Sequence, residues 1–415
     1  MEIPFLEGEG DSLTMKKILI FSLTYYPTRV GGAEVAIKEI TDRIPSEEIE
    51  FHMVTLRVDM RLPKTERFGA VVLHRVGMAA DVRELSGRVP FSIKLAKALY
   101  PVDAFFAALS LHRKYRFDGI WAMMAAYAGF AALFFKLVHP RVPYLLTLQE
   151  GDPIPYILNK VKRIRFLFDR IFQKADRIQT ISKYLADWAR TMGYTGDIAV
   201  IPNGVDTTRF AKEFSQEERS ALRSTLGSEG ETLLITTSRL VEKNGIDDVI
   251  RALPQVPNVR FLVYGTGPDD AKLMALAEKE GVNDRVSFKG QASHAELPLI
   301  LASCDIFTRP SRSEGMGNSF IEAMAAGLPV IATQEGGIAD FLFDAKRDPE
   351  LPSTGFAVDK DSPAQIADAI ERVMAHPAET AKVIGNAKKL ALEKYDWSLI
   401  AAQMRGEFHK LLGVE

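Results

Sequence analysis

Two carboxylates, Glu314 and Glu322, frame the chemically densest segment of the chain, RPSRSEGMGNSFIEAMAAGLPVIATQEGGIA over residues 309–339. A strand pattern ends at Thr308, a glycine-containing loop carries Glu314 as an exposed carboxylate, and a helical pattern begins at Ser319. Gly315 and Gly317 leave the backbone free to approach a ligand, and the unpaired N–H groups of a helix start favour an anion or sugar hydroxyls. Gly327 suits a left-handed helix stop, and Pro329 prevents the helix from continuing. A purely structural reading stands beside this one. Ser319-x-x-Glu322 fits a capping box, and Glu314 fits a solvated loop acid. Spacing alone does not choose between them.

Arg239 and Lys243 follow a buried strand four residues apart and lead toward a helix near Asn244. Strand-end cations of this kind are usually just solvated. Gly31-Gly32 stands between the first strand and a helix starting at Ala33, which makes either a tight turn or an anion site at a helix start. Gly265 and Gly267 end a strand in the manner of turn glycines. Gln149-Glu150-Gly151-Asp152 follows the strand pattern Tyr144–Leu148. Glu150 and Asp152 suit either the start of the following helical run or the binding of a hydroxyl. The seven histidines are scattered without metal-ligand spacing, so no metal site is expected, and neither a Ser–His–Asp signature nor a GxSxG turn is present. The single cysteine, Cys304, excludes an intrachain disulfide and lies in an apolar run that predicts a buried, inert thiol.

Short apolar runs alternating with helical patterns must position these groups, which is the signature of βαβ units and parallel sheets. The chain of 415 residues is long for one core and predicts two domains. Residues 1–14 read as a flexible extension without the features of a secretory signal. Residues 15–205 form the first α/β domain and 206–396 the second, with a last helix over about 397–415 packing back on the first. Two open α/β sheets of this kind bind ligands at the carboxyl ends of their strands. The net charge of −2 supplies no field toward nucleic acid. The longest apolar stretch, Trp121–Phe135, is shorter than the roughly 20 residues of a spanning helix and predicts a buried core helix. The segment Lys160–Lys174 mixes six basic residues with bulky apolar ones at near-helical spacing. It reads either as a core helix with a solvated polar face or as a contact with anionic lipid headgroups.

The pattern Glu314-(seven residues)-Glu322, followed by EAMAAGLPVIAT and Gly336-Gly337, resembles the E-x7-E region of the retaining glycosyltransferases of the GT-B group called family 4. GGAE at 31–34, IPNGVD at 201–206, SRLVEKNGID at 238–247, YGTGP at 264–268 and FKGQ at 288–291 follow in family order. The resemblance covers nearly the whole chain after Met15. It implies an α/β, GT-B fold of two Rossmann-like domains facing each other across a cleft, the first on the acceptor side and the second binding the nucleotide sugar. The implied activity is retaining transfer of a hexose-type sugar from a UDP- or GDP-linked donor. The acceptor would be a hydroxyl of a glycan or lipid-linked molecule, in the cytoplasm or peripherally on the membrane.

The family roles carry over residue by residue. Glu314 would bind the donor sugar, helped by the N–H groups of Gly315, Met316 and Gly317, and Glu322 would bind the ribose. Arg239 and Lys243 would clamp the diphosphate in place of a metal, and no cofactor is needed beyond the donor. Gly31 and Gly32 would approach the donor phosphates, Gly265 and Gly267 would border the nucleotide, and Gly290 and Gln291 would hold the base. Gln149 stands where members of this family often carry a histidine near the reacting carbon, and it cannot carry charge or shuttle a proton. Glu150 and Asp152 are the acceptor candidates. Rival readings are a sugar-nucleotide epimerase on the same fold and a non-catalytic sugar-nucleotide sensor.

Overall fold

The computed structural model describes residues 15–27, 31–77 and 91–414; the expected extension over residues 1–14 lies outside them. Two sheets organise the chain. The strands of the first are β1 (Lys16–Phe21), β2 (Ile49–Leu56), β3 (Thr65–Phe68), β4 (Val71–Val76), β5 (Gly119–Met123), β6 (Tyr144–Leu148), β7 (Arg177–Thr180) and β8 (Ile198–Val200), in the order β3-β4-β2-β1-β5-β6-β7-β8. β1 runs parallel to β2 and β5, and β2 to β4, whereas β3 is antiparallel to β4. β5 and β6 are buried at every residue because both faces of such a sheet are covered. The half-exposed β3 is a short edge strand whose sequence, TERF, carries no apolar run and so gives no strand signal.

The second sheet comprises β9 (Thr232–Thr237), β10 (Val259–Tyr264), β11 (Val286–Gly290), β12 (Ile306–Arg309), β13 (Val330–Ala332) and β14 (Phe356–Ala357), in the order β11-β10-β9-β12-β13-β14. Pairing is parallel throughout. Leu234, Val249, Phe261, Ile306, Ile331 and Ile370 belong to one buried cluster on this sheet. The first strand, β9, lies between β10 and β12, so the chain leaves it first to one side and then to the other. The loops after β9 and β12 therefore emerge side by side at a topological switch point.

Residue contacts divide the chain into two units. One is Met1–Leu146 with Lys174–Asp176 and Arg405–Glu415, and the other is Thr147–Gln173 with Arg177–Met404. Within the first, Phe408 near the end of the last helix (Trp397–Leu412) packs edge-on against Phe51 at 5.7 Å and Trp121 at 5.1 Å between ring centroids.

The run Trp121–Phe135 is not one helix. It ends β5, turns through the left-handed residues Met124 and Tyr127, and becomes helical only over Ala128–Val138. Composition was apolar on both sides of the turn, which hid the break. Among the described residues no helix is long and apolar enough to cross a membrane. Cys304 is half-buried, and burial pushes its thiol well above the ordinary range, which keeps it protonated.

Candidate active site

The candidate site lies within the second unit. After β9 the chain passes Ser238 and Arg239, makes a short 3-10 turn over Glu242–Asn244, and enters the helix Ile246–Ala252 through Gly245. Gly245 is left-handed (φ 68°), and a Cβ there would stand 2.2 Å from the Pro310 carbonyl oxygen, so the loops after β9 and β12 touch backbone to backbone. Arg312 locks them together. Its backbone N–H donates to the Lys243 carbonyl (2.7 Å), and its guanidinium donates to Asp247 (2.8 Å) and Asp248 (2.6 Å). Gly265 and Gly267 serve this same packing: a Cβ on either would lie 1.8 and 2.0 Å from the carbonyl oxygens of Ser238 and Leu240.

The helix after β12 spans Asn318–Ala325 with Gly317 (φ 88°) as its N-cap and no side-chain capping bond. The capping-box reading of Glu322 is thereby corrected. Ser319 lies inside the helix, and its hydroxyl accepts from Arg309 Nη1 at 2.8 Å instead. The helix ends as its sequence implied: Gly327 is left-handed, its N–H donates to Met324 O, and Leu328 N–H donates to Ala323 O.

Glu314 is not the exposed loop acid the sequence predicted; its side chain keeps 15% of its exposure. One carboxylate oxygen accepts from Arg309 Nη2 at 2.9 Å and the other from the N–H of Gly315 at 2.9 Å. Arg309, the last residue of β12, is 7% exposed, lies over the Phe320 ring at 4.1 Å, and leaves its Nε without a partner among the described residues. Sequence reading missed it because an arginine closing a buried strand looks like a solvated strand end. The left-handed Gly317 makes room for it, since a Cβ there would lie 2.4 Å from Arg309 Nη2.

The Glu322 side chain takes no hydrogen bond or ion pair among the described residues. Burial pushes its carboxyl up to about 7, and the charge of Arg309 opposes that rise. Burial likewise lowers the Arg309 guanidinium, against the pull of Glu314 and Glu322, but an arginine remains charged.

The 149–152 segment reaches the same place. Gln149 is buried and exchanges amide hydrogen bonds with Asn203, at 2.9 and 3.2 Å. The Asn203 backbone N–H in turn meets Met316 Sδ at 3.2 Å. Asn203 sits in the motif IPNGVD, but turn chemistry masked its role as partner of Gln149. Glu150 is also buried and accepts the Gln149 N–H at 3.0 Å, while Asp152 stands 3.7 Å from Lys243 Nζ. Lys243 donates to the Gly151 carbonyl. The point a Cβ on Gly151 would occupy lies 2.9 Å from Lys243 Nζ and 3.2 Å from Glu314 Oε1. A cation from the loop after β9 and a carboxylate from the loop after β12 thus converge on one spot.

Other candidates are placed differently. Arg239 is exposed, and its side chain has no partner among the described residues. Gly290 is left-handed with open space around it, and Gln291 makes one long contact with Thr266, at 3.4 Å. Gly31 and Gly32, in the first unit, do start a helix (Gly32–Thr41). Its N-terminus is faced by the chain's own Glu34, whose carboxylate accepts the Gly31 N–H at 3.0 Å and the Thr24 hydroxyl.

Comparison with known proteins identifies the family and the fold. The family model described as Glycosyltransferase Family 4 matches residues 30–209, and that described as Glycosyl transferases group 1 matches residues 218–390. The GDP-mannose-dependent alpha-(1-6)-phosphatidylinositol monomannoside mannosyltransferase of Mycolicibacterium smegmatis is 31% identical over 247 residues, 57% of this chain and 62% of that one. The chain therefore spans about three fifths of the length of the first curated relatives it matches. Among solved structures, sucrose-phosphate synthase from Thermosynechococcus elongatus superposes with a TM-score of 0.80 at 22% identity, covering 96% of this chain and 100% of that one. HepE of Anabaena in complex with UDP-glucose gives 0.74 at 20% identity, covering 95% and 99%. At these identities the two structures speak for the fold, which is GT-B.

Proposed function

This chain belongs to the group 1, family 4 glycosyl transferases, and on that premise we propose that it transfers a hexose from a nucleoside diphosphate donor to an acceptor hydroxyl with retention of configuration. The observation that carries the reading is the convergence of Lys243 and Glu314 at Gly151, at the carboxyl ends of the two strands flanking the switch point. Lys243 and the unpartnered Arg239 stabilise the charge that grows on the departing diphosphate, and no metal is invoked for that task. Arg offers a planar fork to phosphate and Lys a compact charge. Glu314, held by Arg309, accepts from hydroxyls of the donor sugar, and the otherwise unpaired Glu322 accepts from the ribose. Gly315 and Gly317 allow the donor close to the backbone, and Gly290 and Gln291 border the base.

In the proposed front-face reaction the acceptor oxygen bonds to the anomeric carbon as the carbon–phosphate oxygen bond breaks on the same side. The acceptor proton passes to the leaving phosphate oxygen, and the nucleoside diphosphate departs. Glu314 and Glu322 both serve donor binding, so neither is cast as a nucleophile. Gln149, locked to Asn203, presents no titratable group there. Gly31 and Gly32 are left out of the donor set, because Glu34 already occupies their helix start with negative charge.

The names of the relatives make GDP-mannose and UDP-glucose the first donors to test, with glycan and lipid-linked acceptors. The decisive variant is Arg239→Ala. Transfer of labelled sugar should fall by about a hundredfold or more, in line with the removal of a charge-stabilising donor. A folded variant with the wild-type transfer rate removes Arg239 from the mechanism.

A further inference from the structure

The basic segment after the candidate site does not form the single helix with a buried apolar side that its spacing allowed. Helix Ile154–Lys160 stops at Val161, a 3-10 turn covers Lys162–Ile164, and a second helix runs over Arg165–Gln173. The break sorts the apolar side chains into two sets. Ile157, Phe168, Ile171 and Phe172 are buried, with Phe172 packed edge-on against Trp188 at 5.1 Å. Tyr156, Ile164 and Phe166 face solvent, at 48%, 42% and 64% exposure.

The exposed charges interleaved with the outward set are cationic. Lys160, Lys162 and Arg163 are exposed. Lys160 lies over the Tyr156 ring at 4.1 Å, and Lys162 and Arg163 have no acidic partner among the described residues. Only Arg165 is neutralised, by Asp169. A core helix would bury Phe166 and Ile164, whereas here they stand in solvent beside the cations. Large apolar side chains interleaved with unpaired cations suit a surface that is apolar inside and anionic outside, which is the interface of a bilayer containing acidic lipids.

We propose that residues 156–166 form a membrane-docking surface that seats the second unit on anionic lipid, with Phe166, Ile164 and Tyr156 entering the headgroup region and Lys160, Lys162 and Arg163 meeting lipid phosphates. Asp152 precedes Tyr156 by four residues, so the surface is continuous in the chain with the segment that meets Lys243 and Glu314. Resting on the proposed transferase reading, this names the acceptor class: an amphiphile whose hydroxyl is presented from a lipid surface.

The test is flotation of the full chain with phosphatidylglycerol vesicles and with phosphatidylcholine vesicles, without nucleotide. Wild-type protein should float with the anionic vesicles and lose binding as salt rises. The triple variant Lys160→Gln/Lys162→Gln/Arg163→Gln should partition about a hundredfold less strongly. Phe166→Ser, a change at an exposed position, should weaken binding about tenfold while leaving the melting temperature unchanged. Failure of the wild type to float, or equal flotation of the variants, overturns the proposal. So does a concentration-dependent dimer that Phe166→Ser dissociates in the absence of lipid, because the surface then belongs to a second copy. Donor binding is measured without vesicles, so loss of one result leaves the other standing.

Discussion

Arg309→Met removes the guanidinium that is bonded to Glu314 and whose charge acts on Glu322. It deletes charged hydrogen bonds to Glu314 (2.9 Å) and Ser319 (2.8 Å), and the charge that opposes the upward push on Glu322. Breaking a buried pair by removing one partner costs about 3–5 kcal/mol. Glu314 retains some access to water and its oxygen can be rehydrated, so the lower end, about 3 kcal/mol, is expected here. At roughly 2–4 °C per kcal/mol for a unit of this size, the melting temperature falls by about 6–12 °C.

The functional loss is separate and selective. Glu314 loses the bond that fixes its orientation, and a hydrogen bond to a charged group is worth about 1.5–3 kcal/mol. Affinity for the sugar nucleotide should therefore fall about 10- to 100-fold more than affinity for the bare nucleoside diphosphate. Isothermal titration of both ligands on each protein isolates this effect, because any change in Glu322 protonation at the ribose weakens the two ligands alike. Arg309→Lys keeps the charge without the fork and should fall between. Equal weakening of both ligands would assign Arg309 to the fold alone, and an unchanged melting temperature would refute the buried pair.

Three further outcomes are expected. Nucleotide affinity should rise with pH through about 7 and level off above it, because the ionised Glu322 carboxylate accepts from ribose more strongly than the neutral acid. The burial that raises this acid penalises the folded state as pH rises from the ordinary carboxylate range through about 7. Glu322→Gln should therefore flatten the affinity profile and be no less stable than wild type at pH above 7, as urea melts can check. Gln149→Ala leaves the buried Asn203 amide unpaired and should cost about 1–3 kcal/mol in urea unfolding, whereas a loss under about 0.5 kcal/mol contradicts the reciprocal amide pair. Gly337→Ala puts a Cβ 1.9 Å from the Gly315 carbonyl oxygen and displaces the 314–317 loop, so donor binding should weaken beyond detection in a protein whose circular dichroism is unchanged.

The alternation of strands and helices was readable because a parallel sheet covered on both faces leaves continuous apolar runs, as in β1, β5, β6, β9 and β10. Strands without such runs escaped, namely the polar edge strand β3 and the two-residue β14. Local turn chemistry was equally plain at Gly327, whose left-handed stop needs only the neighbouring sequence. What stayed hidden depends on long-range burial. Glu314 and Arg309 are five residues apart, yet neither spacing nor type signals that the arginine turns inward beneath the loop. The Gln149–Asn203 pair joins positions 54 residues apart, and the glycines at 265, 267 and 337 are demanded by carbonyls of distant loops. The 160–174 segment was ambiguous for the same reason, since helical spacing cannot report a break at Val161.

The central claim is that the loops after β9 and β12 hold a nucleoside diphosphate sugar, and ligand-induced thermal stabilisation against UDP, GDP, ADP and their hexose conjugates tests it most directly. At about a hundredfold excess over its dissociation constant, the true donor should stabilise the fold by roughly 2.7 kcal/mol, and Glu322→Gln should abolish most of that gain. Stabilisation by one nucleotide family alone, lost in the variant, is the result the account predicts. No shift with any of them in a folded protein, or a shift that Glu322→Gln leaves intact, would contradict it.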